Sequence, residues 1–121
     1  AEWVDYSGTL DGRKLGVTIF DHPSSFRHPT TWHVRAYGLF AANPFGLHDF
    51  NADKTADGSL KLAPGKSLDL RYRVLIPPGD ASTNDLAGEF KKYAQEKYCP
   101  AADPVPLPAV RCHRAERLLY L

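Results

Sequence analysis

Three of the chain's five histidines, His22, His28 and His33, fall within twelve residues of the stretch FDHPSSFRHPTTWHVRAYG, residues 20–38. Arg27, Arg35, Trp32 and Tyr37 stand among them. Three readings suit such a stretch: a metal site, a sugar- or anion-binding surface, and an ordinary polar turn. Neutral imidazole is a borderline ligand that suits copper, zinc, iron and nickel. A turn that sets residues six and eleven apart face to face would let the three rings converge on one ion. Pro23 and Pro29 each follow a histidine directly and hold its backbone extended, which lowers the entropy lost on ordering the ligands. The spacing is not the HExxH of a zincin helix, and the cysteines are too few for a four-thiolate zinc site. Taken singly, each residue has a structural reading: a histidine beside proline as a turn residue, Asp21 as a turn cap, Trp32 as core. Taken together they favour a site.

The elements that must position these residues read mostly as β. EWVDYSG opens a first strand, and Asp11-Gly12 is a hairpin signal leading into a second strand carrying Val17 and Ile19. WHVRAYGLF alternates strictly. His33, Arg35, Tyr37 and Leu39 are expected on one face of a single strand, with Trp32, Val34, Ala36 and Phe40 on a core face. AANPFGLHDFNADKTADG reads as loop. SLKLAPGKSLDLRYRVLI reads as two strands about a Pro64-Gly65 turn, with Leu68, Leu70, Tyr72, Val74 and Ile76 on one face and Asp69, Arg71 and Arg73 on the other. DLAGEFKKYAQEK, with Leu86, Phe90, Tyr93 and Ala94 at helical spacing, predicts one short amphipathic helix near residues 85–97 that packs on the sheet. The fold expected is mainly β, a small antiparallel jelly-roll or cupin-like sandwich with one short C-terminal helix. Residues 1–98 form its single domain and 99–121 a proline-rich tail. In that tail Cys99 and Cys112 could close a disulfide worth about 2–3 kcal/mol.

Composition bounds the function. A net charge of +1, from 15 basic and 14 acidic residues, gives no broad field to recruit nucleic acid or anionic lipid, so neither a nucleic acid nor a membrane is expected as partner. No apolar run reaches the roughly 20 residues of a membrane helix. With no methionine in the chain, a start at a processing boundary is expected, with a secretory signal removed ahead of Ala1. No G-x-S-x-G elbow, Walker loop or G-x-G-x-x-G opens a helix. Carboxylates are present, but no pattern pairs them as a glycosidase requires. Short sheets leave edges open to a second copy, and a homodimer is expected.

The run EWVDYSGTLDGRKLGVTIFDHPSSFRHPTTWHVRAYGLFAANPFG, followed by DGSLKLAPGKSLDLRYRVLI, resembles the C-terminal part of the bacterial PmoA-like family, over about residues 2–97. Members of that family are longer β-sandwich proteins found among carbohydrate-degradation genes. A compact chain of this kind is similar to small copper-dependent, cellulose-oxidising metalloenzymes. That similarity implies a cupin-like jelly roll, one copper ion per chain and a secreted homodimer. It also implies oxidative attack on the chain ends of cellulose or a related glucan, using oxygen or hydrogen peroxide and giving cellobionic acid. On this reading His22, His28 and His33 are the copper ligands, assigned from their spacing. Tyr37 lies at or beside the axial position, Arg35 steers a peroxide or superoxide anion, and Trp32, Trp3 or Phe26 stacks on glucose rings. Residue 1 is alanine, so an amino-terminal histidine brace is not expected. Two alternatives stay open: a carbohydrate-binding module without metal, and a cupin-type enzyme holding iron, zinc or manganese and acting on a small substrate.

Overall fold

A computed structural model describes residues 1–50 and 55–97. The tail and its two cysteines lie outside the described residues. Strand β1 (Trp3–Leu10) turns through Asp11 and Gly12, both at positive φ (49° and 75°), into strand β2 (Arg13–Asp21). This is the primed turn whose twist matches paired strands. The hairpin is in register from Trp3↔Phe20 to Leu10↔Arg13. Strand β5 (Tyr72–Leu75) lies on the other side of β2, with Phe20↔Arg73 and Asp21↔Tyr72, so the order is β1-β2-β5.

Side chains alternate across this sheet. One face carries Trp3, Thr18, Phe20 and Leu75, and helix α2 (Leu86–Ala94) packs on it through Phe90 and Tyr93. The α2 N-terminus is closed by Asp85, whose side chain accepts from the Gly88 N–H. Asp85→Ala removes that acceptor and is expected to cost about 1 kcal/mol, read from the urea midpoint.

The opposite face carries Tyr6, Ile19, Asp21, Tyr72 and Val74. Strands β3 (Trp32–Arg35) and β4 (Leu39–Ala42) form a two-stranded antiparallel sheet. This hairpin lies against the second face at β1: Tyr6 stacks on Phe40 at 5.7 Å, and its hydroxyl donates to the Ala36 carbonyl at 3.2 Å. The architecture is mainly β and antiparallel, compatible with a small sandwich. Among the described residues no helix is long and apolar enough to cross a membrane.

Three local expectations are corrected. WHVRAYGLF is not one strand, because the chain reverses between Arg35 and Leu39, with Gly38 at φ +98° and its N–H on the Arg35 carbonyl. Residues 58–71 turn at Pro64-Gly65 as expected but form no strand; Leu60 and Leu62 stay exposed, so their alternation has no face to bury. The supposed loop 41–58 holds the end of β4 and a one-turn helix, α1 (Leu47–Phe50), closed by the Gly46 carbonyl accepting from Asp49 and Phe50.

Candidate active site

Asp21 ends β2 with its side chain on the hairpin-facing side of the sheet, and it is 0% exposed. Its Oδ2 accepts from the Thr30 backbone N–H at 2.9 Å and lies 3.0 Å from His28 Nδ1. A carboxylate only accepts, so the proton of this imidazole belongs on Nδ1 and Nε2 carries the lone pair. His28 Nε2 points toward the exposed Glu2 carboxylate, with Oε1 3.9 Å away. A buried carboxylate fixing the tautomer and direction of a histidine is the arrangement that general bases share with metal-binding imidazoles. Asp21 Oδ1 has no hydrogen-bond partner in this structure, and neither does the buried hydroxyl of Tyr72, which faces Asp21 across the ladder. Burial pushes the Tyr72 phenol up from its ordinary range, which keeps it a neutral hydroxyl at physiological pH.

His22 follows Asp21 directly, so strand alternation sends it to the other face. It is 5% exposed, edge-on to Tyr93 at 5.0 Å. Its Nδ1 accepts from the Ser24 N–H at 3.0 Å, and its Nε2 lies 3.1 Å from the Glu96 carbonyl and 2.9 Å from an Arg71 guanidinium nitrogen. Burial, joined by Arg71, holds this imidazole below the ordinary 6.5; the Glu96 carbonyl and carboxylate and a Tyr93 backbone contact oppose the shift. The unfolded chain therefore binds this proton more readily than the folded one. The stability His22 contributes is complete above the ordinary histidine range and is lost as pH falls through it toward the folded value. Melting temperature is expected to fall on acidification below pH 6.5, and His22→Gln to flatten that part of the profile.

The remaining predicted residues are dispersed. His33 sits on the hairpin with its ring 5.1 Å from Phe50. Trp32 stacks on Phe40 and donates its indole N–H to the Ala1 carbonyl at 2.8 Å. Trp3 packs edge-on to Phe20 beside the core, and Phe26 pairs with Phe45. Arg35 is exposed and its guanidinium folds back on the Val34 carbonyl. Tyr37 does not share a strand face with Arg35 and His33, because it lies in the β3–β4 turn, 80% exposed. The structure thus brings Asp21 to His28, with Glu2 nearby. It does not bring His22, His28 and His33 together.

Arg27 acts on the loop that presents His28. Its φ is +58°, a region a bulky residue occupies at a cost. Its guanidinium donates to the carbonyls of Pro44, Gly58 and Ser59 at 3.0, 2.8 and 3.1 Å and stacks on Phe26. Arg27→Ala leaves those carbonyls without this donor and is expected to cost about 2–3 kcal/mol, seen as a lowered urea midpoint.

Residues 1–91 match a family described as "Family of unknown function (DUF6807)". The chain belongs to that family. No curated protein and no solved structure matches it. The DUF6807 match spans Glu2, Asp21, His28 and Tyr72, and stops short of Tyr93 and Glu96. In this DUF6807 chain the three histidines do not fit a shared copper centre: His22 has both ring nitrogens engaged, and His33 lies against Phe50 on the hairpin. Among the described residues no group of three or more His, Cys, Asp or Glu side chains is placed to hold a metal ion. Sequence reasoning took Asp21 for a turn cap and missed it as the partner of His28. It missed Glu2 altogether. No short motif signals the Asp21–His28 contact, which arises from the return of the 22–30 loop over the strand end.

Proposed function

We propose that this chain is an enzyme acting on cellulose or a related glucan, with His28 as the group that moves the proton and Asp21 as the residue that orients it. The observation that supports this most is the fully buried Asp21 carboxylate 3.0 Å from His28 Nδ1. Held this way, Nε2 is the basic atom, on the side of the ring toward Glu2, and it can take a proton from a water that attacks the glycosidic carbon while the leaving sugar oxygen takes its proton from solvent. The imidazolium that forms is stabilised by the carboxylate behind it. The glucan comes from the sequence resemblance, and a polymer of that kind is met outside the cell.

A second reading has one observation of its own. Glu2 Oε1 lies 3.9 Å from His28 Nε2, two atoms that can each ligate a metal, and a carboxylate behind a histidine raises its basicity as a ligand. In a copper-dependent oxidation His28 and Glu2 would hold the ion, and copper would supply the activation of oxygen or peroxide.

Both readings are tested by sugar release from swollen cellulose by the wild type and His28→Gln, after chelation and again with copper and a reductant. Proton transfer at His28 predicts turnover by the chelated wild type, reduced about 100-fold or more in the variant. Turnover that appears only with copper transfers the function to the second reading. Equal rates in wild type and variant overturn both.

A further inference from the structure

Two arginines of the β5 segment meet one carboxylate on the helix-covered face of the sheet. Arg73 donates through Nη2 to both oxygens of Glu96, Oε1 at 2.8 Å and Oε2 at 2.7 Å. Arg71 donates to Oε2 at 3.3 Å and to the Glu96 backbone carbonyl at 2.8 Å. The Tyr93 ring floors both guanidinium groups, at 4.4 Å from Arg73 and 5.3 Å from Arg71. Planar cations stacked on an aromatic face are oriented in advance, and their fork matches a carboxylate. Glu96 itself lies beyond the α2 C-cap at Gln95 and its side chain is partly exposed. Helix α2 is docked by Leu86, Phe90 and Tyr93, so the Glu96 carboxylate can leave while the helix stays.

We propose that Arg71, Arg73 and Tyr93 form a binding site for a small organic carboxylate, which the chain's own Glu96 fills and which a carboxylate ligand takes by displacing it. The site lies on the face of the sheet opposite Asp21 and His28 and does not depend on the function proposed for them. Tethering gives Glu96 a high effective concentration, so the wild type takes free carboxylates weakly and a chain lacking Glu96 takes them well.

The test is a calorimetric and NMR titration of wild type and Glu96→Ala with sodium acetate, sodium glucuronate, inorganic phosphate and glucose. Circular dichroism and the Tyr93 ring signals check that α2 remains docked. Glu96→Ala is expected to bind acetate and glucuronate at least about ten-fold more tightly than wild type, and glucose not at all. Adding Arg73→Ala is expected to abolish that gain. Glucuronate binding well above acetate identifies an acidic sugar as the better ligand, and equal binding identifies the carboxylate alone as what is recognised. The proposal is overturned if folded Glu96→Ala binds neither carboxylate, if binding survives the loss of Arg73, or if phosphate binds more tightly than both.

Discussion

Asp21→Asn is expected to lower turnover on a glucan by roughly 100- to 10,000-fold while leaving the chain folded. The asparagine oxygen can still accept from the Thr30 N–H, as Asp21 Oδ2 does now, so the loop keeps its anchor. That same oxygen is the atom beside His28 Nδ1, and the amide NH2 takes the place of the unpartnered Oδ1. The tautomer is therefore kept, and what is lost is the negative charge that stabilises the imidazolium formed at His28. Because Asp21 acts through His28, rate alone does not separate positioning from structure. The discriminating readout is the tautomer of His28, which is expected to stay as in the wild type in Asp21→Asn, with the melting temperature little changed while turnover falls. Full turnover in Asp21→Asn would contradict the role given to Asp21.

Phe20→Ala is expected to cost about 3–5 kcal/mol, a large part of the roughly 5–15 kcal/mol that holds a domain of this size folded. Phe20 is 0% exposed and its ring meets Trp3, Phe90 and Tyr93 at 6.3, 5.6 and 6.1 Å. The buried core of hydrophobic side chains among the described residues is small, so these neighbours have little else to collapse onto. Val74→Ala, one position along β5 from the residue paired with Phe20, is the control. Val74 is more than half exposed, and its truncation is expected to change stability by less than about 0.5 kcal/mol. Urea denaturation of both variants checks the contrast, and equal losses would place the core elsewhere.

What the sequence made legible was local. Asp11-Gly12 specified its hairpin because two residues that tolerate positive φ suffice to set that turn. The spacing of Leu86, Phe90 and Tyr93 marked the helix and its buried side. The alternation of Arg71 and Arg73 against Tyr72 and Val74 assigned the two faces of β5 correctly. The hairpin of Trp32 to Ala42 was read as one strand because its two arms keep the same alternation through the turn. Gly38 was the break signal. The site was less legible. Crowding of histidines along the chain implied convergence in space, yet strand period two sends adjacent residues to opposite faces, and it separates His22 from Asp21. The pair that did form depends on where the 22–30 loop returns, and the partner of Arg71 and Arg73 comes from beyond the far end of α2. Both are tertiary facts that no local pattern encodes.

The central claim is that Asp21 holds His28 with the proton on Nδ1 and the lone pair on Nε2, on the side toward Glu2. Long-range 1H–15N correlation on the imidazole, recorded at a pH above the ordinary histidine range, reads the tautomer directly. The account predicts a protonated Nδ1 and an unprotonated Nε2 for His28 in the wild type. A proton on Nε2 in the wild type would contradict it, because that atom would then be a donor with no base to offer.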